Sequence, residues 1–261
     1  MEPDMKIFHE FYGYRELLIE LVKRDLKKKY RRSSLGVIWS VLNPLLFMAI
    51  TTLIFSTMFR NQIENFPVYF LIGQVVYAFF AEATGLAQTG LIENGSLIKK
   101  VYTPKYIFPV SKVFFSLINM LFSLVAILLI VVFTGFDLPL TSVLFFIPVF
   151  LVFVFSIGVG LFLSSLTVFY RDLLHIYGIL LSVLSFFSAT FYPIEIIPET
   201  YRVIVEFNPI YVFIDYFRTL VLDGQLPDLR LNLLAVFYCL ISVVLGYKVF
   251  KKNENKIVLF I

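Results

Sequence analysis

Six apolar runs, near residues 35–59, 67–88, 107–134, 142–168, 174–192 and 232–250, each reach about the 20 residues that a helix needs to cross the hydrocarbon of a bilayer. Inside lipid no water pairs with a free N–H or C=O. Segments of this length therefore cross as helices, which satisfy their own backbone. A chain of 261 residues with 59% hydrophobic and 15% charged residues and a mean hydropathy of +0.88 has more apolar surface than a soluble domain could bury. The expectation is an all-α integral membrane protein of six transmembrane helices.

The basic residues orient it. Lys27, Lys28, Lys29, Arg31 and Arg32 stand immediately before the first apolar run, and by the positive-inside rule they hold the N-terminus in the cytoplasm. Threading the six runs from there puts all 22 Lys and Arg inside except Arg60, Arg202, Arg218 and Arg230. Both termini are then cytoplasmic. The formal charge of +4 is explained by this topology better than by a nucleic-acid partner. Met1 to Glu20 mixes acidic and apolar residues without a continuous apolar core, so no cleavable leader is expected.

Ahead of the first span, Phe11, Tyr14, Leu18, Val22, Leu26 and Tyr30 recur at three- and four-residue steps while Glu16, Glu20 and Lys23 fall on other faces. That pattern predicts an amphipathic helix, either an anchor on the membrane surface or a docking surface for a partner. Asn94-Gly95-Ser96 offers a helix start before Leu97 and Ile98, so a short cytoplasmic helix is expected between the second and third spans. From Tyr192 to Arg230, Pro193, Pro198, Pro209 and Pro227 interrupt stretches too short to span, which predicts two short amphipathic or re-entrant helices near 198–207 and 209–222. The whole is one membrane domain: an interface helix within 1–34, spans one to five in 35–192, the short outer helices in 193–231, and span six with a tail in 232–261.

Motifs for chemistry are missing. There is no G-x-x-x-x-G-K-[ST] loop, so any ATP that drives this chain is hydrolysed by another. Neither a nucleophile elbow nor H-E-x-x-H is found, Cys239 has no partner, and His9 and His175 are far apart. An intramembrane transferase would have only Glu82, Asp172 and His175 to work with, and the last two read equally well as loop and helix-end residues. Glu82, in the second span, is either bonded to Gln88 or a neighbouring helix or is a direct participant in transport. Pro44 is expected to kink the first span, with Asn43 and Ser40 satisfying the freed backbone groups.

Aromatic residues make up 18% of the chain. Trp39, Phe47, Phe55, Phe59, Tyr69, Tyr77, Phe80, Phe186, Phe187, Phe191 and Tyr192 come from the first, second and fifth runs. Lipid-facing rings and interfacial belts explain most such residues, but a subset lining a path would stack on the C–H faces of sugars and let a polymer slide.

Several segments carry a resemblance: Tyr30-Arg31-Arg32-Ser33-Ser34-Leu35-Gly36-Val37-Ile38-Trp39 with Leu42-Asn43-Pro44, Tyr69-Phe70-Leu71-Ile72-Gly73, Asn94 to Tyr102 with Pro104 and Pro109, Phe169 to Leu173, Phe191-Tyr192-Pro193-Ile194 with Pro198, and Asn208-Pro209 with Arg218. In this order the chain resembles the membrane subunit of ABC-2 type exporters of lipid-linked polysaccharide, which serve O-antigen, capsule and teichoic acid export. The resemblance implies a homodimer of this subunit with two copies of an ATPase subunit that binds ATP and Mg, and no cofactor in this chain. It implies ATPase contacts through Glu16, Glu20 and Lys23 and through Ser96, Leu97 and Ile98. It implies an outer gate over Glu195 to Leu222, and it makes Arg31, Arg32, Lys99 and Lys100 candidates to meet the diphosphate of a polyprenyl carrier. A small-molecule exporter is the alternative within the same family.

Overall fold

The computed structural model describes residues 12–31, 33–55, 63 and 65–261. Phe11, Arg32, Phe59 and Arg60 lie outside these. Among the described residues all regular structure is helical: α1 Arg15–Tyr30, α2 Ile38–Phe55, α3 Phe66–Glu93, α4 Ile107–Thr134, α5 Phe146–Thr167, α6 Leu173–Phe187, α7 Glu199–Glu206, α8 Pro209–Val221 and α9 Leu229–Phe260. A single turn, Gly95–Ile98, follows α3, and a 3-10 segment, Leu140–Phe145, runs directly into α5.

Local chemistry sets several boundaries. Asn65 caps α3 by accepting from the Val68 N–H, with Pro67 in the first turn where its missing donor costs nothing. Asn208 and Pro209 repeat the device for α8, and Asp228 caps α9 through the Leu231 N–H at 2.7 Å. Gly135, at φ +65°, closes α4 in the left-handed conformation.

Five segments are long and apolar enough to cross a membrane: Ile38–Phe55, Phe66–Glu93, Ile107–Thr134, Leu140–Thr167 and Leu229–Phe260. The fifth run departs from expectation. Its helix, α6, stops at Phe187 after 15 residues, about 22 Å at 1.5 Å per residue and short of the roughly 30 Å of hydrocarbon. The chain continues through Ala189, at φ +46°, to Tyr192 without helical bonding. Three tyrosine hydroxyls nevertheless tie this segment antiparallel along α3: Tyr177 donates to Thr84 Oγ1 (2.6 Å), Tyr77 to the Leu181 carbonyl (2.6 Å) and Tyr69 to the Tyr192 carbonyl (2.9 Å). Helix and extension together follow α3 from Thr84 to Tyr69, about 22 Å between those two residues alone.

The two short helices expected near 198–207 and 209–222 are present as α7 and α8. Both are amphipathic. α8 seals Ile210, Val212, Phe213, Ile214 and Leu220 among α3, α5 and α9 and turns Asp215 and Thr219 to a polar cavity, so it is inserted into the bundle with one polar edge. α5 and α9 cross so closely that a Cβ at Gly158 would strike the Ser242–Val243 backbone, and one at Gly246 would strike the backbone of Gly158. Small residues permit that approach, and dispersion between the helices replaces the hydrophobic drive that lipid does not supply. A second core gathers at the end of the bundle where the basic residues lie, joining Leu18, Leu21 and Val22 of α1 to Leu91, Ile98, Phe108 and Ile257.

Candidate functional site

The last turn of α1 leans over a cavity of about 330 Å³ between α2, α3 and α4. Lys29 Nζ lies 2.8 Å from Glu82 Oε1, each side chain about a third exposed. The Asn119 amide approaches both Glu82 oxygens at 3.3–3.4 Å, and its own carbonyl accepts from the Tyr30 hydroxyl at 2.9 Å. Tyr30 also meets the Ser40 hydroxyl. Glu82 is thus bonded to neighbouring helices and not to Gln88. Nothing in the bare sequence joined Lys29 to Glu82, which are 53 residues apart.

Pro44 stands inside α2 and leaves the Ser40 carbonyl without its helical donor. The Ser123 hydroxyl of α4 lies 3.0 Å from that carbonyl and 3.1 Å from the Asn119 carbonyl of its own helix, and its one proton is shared between them. The sequence expectation that Asn43 and Ser40 would make the repair is corrected: the donor comes from another helix, and Asn43 faces the cavity. Ser123→Ala is expected to cost about 1 kcal/mol in unfolding free energy. The same change should cost far less in Pro44→Ala, where residue 44 regains an N–H for Ser40. Equal costs in both backgrounds, measured by unfolding in detergent, would remove this assignment.

The expected channel aromatics fall in different places. Trp39 and Phe47 line the cavity. Phe80 is buried against Phe155, ring centroids 5.6 Å apart, so within this chain it is a core residue and lines no free surface. Tyr69 and Tyr77 spend their hydroxyls on the contact of α3 with α6 and its extension, and Tyr192 spends its own on the Phe186 carbonyl within that segment. Phe191 packs on Phe70 and Phe186, Phe55 lies against the main core, and Phe186 and Phe187 are exposed. Phe59 lies outside the described residues.

At the basic end, α1 buries its apolar face on the chain's own bundle and exposes Glu16, Glu20 and Lys23, the last two ion-paired at 2.8 Å. Lys112, the buried cation of α4, holds Asp25 of α1 at 3.0 Å and Glu93 of α3 at 2.8 Å. Arg24 adds bonds to Asp25 and to the Asn94 carbonyl oxygen (2.9 Å), beside the turn that carries exposed Ser96, half-buried Leu97 and buried Ile98. In the sequence Lys112 counts only among the inside basic residues, although a lysine five residues into an apolar helix is a signal of its own. Arg31 ends α1 beside the cavity. Lys99 and Lys100 lie beyond the end of α3, whose Glu93 is itself about 16 Å along the helix from Glu82, so they do not stand with Arg31. Arg32 lies outside the described residues.

At the opposite end, Arg218 of α8 is only 6% exposed. Its guanidinium donates to the carbonyls of Ala189 (3.0 Å), Tyr69 (3.3 Å) and Thr190 (3.4 Å), and lies 3.4 Å from the centre of the Tyr69 ring. Asn208 donates to the Phe187 carbonyl at 2.9 Å. These bonds end α6: its last carbonyls and those of the extension are taken by side chains of α8 and its cap. An adjoining cavity of about 370 Å³ is lined by Tyr69, Glu195, Tyr211, Asp215 and Asp223. Burial pushes the Asp215 carboxyl up to about 6 against the pull of Arg218, and raises Asp223 in the same way.

Asp172 and His175 sit exposed where α6 begins, the Asp172 carbonyl accepting from the His175 N–H, which is the helix-end role. Among the described residues no group of three or more His, Cys, Asp or Glu could hold a metal ion.

Long apolar helices, polar groups satisfied between them and a charged helix docked at one end define a multi-pass α-helical membrane protein. Residues 16–222 match the family of ABC-2 type transporters, and the chain belongs to that family. It is 31% identical over 226 residues to the O-antigen export system permease protein RfbA of Myxococcus xanthus, covering 86% of this chain and 87% of that one. The protein of the same name from Klebsiella pneumoniae is 30% identical over 92% of this chain and 93% of its own. The polysialic acid transport protein KpsM of Escherichia coli is 24% identical, with 90% and 92% covered.

Proposed function

We propose that this chain is the membrane subunit of an ATP-driven exporter of polyprenyl-diphosphate-linked polysaccharide, of the O-antigen kind, in a bacterial inner membrane. Similarity to O-antigen export permeases along about nine-tenths of the chain carries the reading. The basic end is cytoplasmic and both termini lie there. The sixth crossing is made by α6 together with its extended continuation to Tyr192. Non-helical backbone is tolerated at that depth because protein side chains pair with it.

ATP and Mg are held by a separate ATPase subunit, present in two copies, which docks on the exposed face of α1 and on Ser96, Leu97 and Ile98. The Lys112 bridge makes α1 and the turn after α3 respond together. Two copies of this chain meet through apolar faces of α2 and α6, such as Leu46, Ile50, Ile179 and Val183, which the bundle itself leaves exposed. Trp39 and Phe47 face the path of the glycan, Arg31, Arg32, Lys99 and Lys100 meet the carrier diphosphate, and α7 and α8 gate the outer end. Nucleotide drives the cycle only by binding one arrangement of the complex more tightly than the other.

Deleting the gene and analysing lipid-linked glycan on both sides of the inner membrane tests the reading. Polymer accumulating inside on its carrier, with surface glycan lost, is the expected result and identifies the polymer as O-antigen or, as the relation to KpsM would favour, capsule. An unchanged surface glycan would reject polysaccharide export.

A further inference from the structure

We propose that the cavity between α1, α2, α3 and α4 is a binding subsite for an uncharged sugar residue, and that the Lys29–Glu82 pair makes it select against anionic ones. This rests on the export reading and names the substrate class at that site.

Three observations carry it. First, about 330 Å³ is at the lower end of the range for small-molecule sites, a scale suited to one or two sugar rings and far too small for a folded partner. Second, the wall combines exposed aromatic faces, Trp39 and Phe47, with the amides of Asn43 and Gln74, which among the described residues have no hydrogen-bond partner in the chain. Aromatic faces take the C–H side of a pyranose, and free amides exchange hydrogen bonds with its hydroxyls.

The third observation concerns charge. Lys29 and Glu82 neutralise each other at 2.8 Å and each keeps about a third of its side chain open. A neutral hydroxyl can accept from Lys29 or donate to Glu82 while the pair stays intact. A carboxylate or phosphate on the sugar must compete with Glu82 for the same ammonium and then lie beside a like charge in a partly water-excluded site. The pair therefore offers polar contact without an attractive field for anions. This distinguishes the cavity from Lys99 and Lys100, which lie beyond the end of α3.

The chain's one tryptophan makes the test direct, because Trp39 emission reports the cavity itself. The full chain in nanodiscs is titrated with maltotetraose and with tetragalacturonate. The wild type should show saturable quenching by maltotetraose and at least tenfold weaker binding of tetragalacturonate. Glu82→Gln, which frees Lys29, should gain at least tenfold for tetragalacturonate, with the gain lost at high salt. Lys29→Gln is the independent variant should Glu82→Gln not fold: without the ammonium it should bind tetragalacturonate no more tightly than the wild type, and it should lose only a few-fold for maltotetraose, whose ring contacts with Trp39 and Phe47 remain. A wild type that ignores maltotetraose or binds the two equally, a Glu82→Gln variant that leaves the preference unchanged, or a Lys29→Gln variant that gains for tetragalacturonate, would overturn the proposal. If deletion of the gene blocks export while the tetrasaccharides are not distinguished, only the subsite fails; if surface glycan is normal in the deletion, the export reading fails whatever the fluorescence shows.

Discussion

Arg218→Met is expected to lose about 3–5 kcal/mol of stability, enough to abolish a monodisperse peak after mild heating in detergent. The guanidinium is nearly sealed from solvent and supplies donors to three carbonyls, those of Tyr69, Ala189 and Thr190. The Ala189 and Thr190 carbonyls lie outside any helix and are left without a donor at about 1–3 kcal/mol each, whereas that of Tyr69, inside α3, keeps its helical N–H. Methionine keeps the volume and the contact with Tyr69 but donates nothing. Lysine fails for a different reason: its ammonium is a point donor on a flexible stem and cannot reproduce a planar fork shared among three oxygens. With the cation gone, Asp215 and Asp223 lose the interaction that opposes their burial, and both carboxyls move further up. A methionine variant with an unfolding midpoint within a degree or two of wild type would show that the α6 extension is held by other contacts.

The second large effect belongs to the basic end. Lys112→Met leaves Asp25, buried in α1, facing Glu93 of α3 with no cation between them. Removing one member of a buried ionic group costs about 3–5 kcal/mol when the charge left behind is dry and unpaired; here Asp25 keeps Arg24 at 3.0 Å and Glu93 is 41% exposed, so the cost lies at the lower end, about 3 kcal/mol. The loss is local, so α1 should separate from the bundle while the spans stay folded. Hydrogen exchange over residues 15–30 reads this directly: protection at Leu21 and Val22 should fall by two orders of magnitude or more, and export should stop. Lys112→Met combined with Asp25→Asn removes both charges of the buried pair and should recover part of the protection. Unchanged protection in Lys112→Met would mean that the apolar face of α1 holds it unaided, and that the bridge contributes nothing to docking.

Much of this architecture could be read from local chemistry. Asn65 with Pro67, Asn208 with Pro209 and Asp228 announce helix starts within a few residues, and the apolar runs behind them give the spans. The stop of α6 could not be read that way. Ser188, Ala189 and Thr190 differ little in hydropathy from what a helix tolerates; the carbonyls of Phe187, Ala189 and Thr190 leave the helix because Asn208 and Arg218, some 20 to 30 residues later, are positioned to take them. The cavity was legible only in part. Trp39 and Phe47 stood out as aromatics, whereas Lys29 looked like one more topogenic charge until α1 folded back and brought it to Glu82. The burial of Phe80 against Phe155 was not legible, because a span buried among other spans has no lipid-facing side for hydropathy to distinguish. Ser123 was missed since a hydroxyl donor to a proline-freed carbonyl carries no pattern in its own neighbourhood.

The contact between Gly158 and Gly246 has a mechanical consequence. Two helices that touch backbone to backbone have no side-chain layer to shear, so α5 and α9 cannot slide past each other without losing their closest contact. They form a fixed spine, and α9 carries it along 32 residues, about 48 Å, until Ile261 rests against Gly95 of the turn after α3. Movement in such a molecule is left to the flanks, where α2 and α6 have few neighbours and a sugar-sized space lies beside one of them.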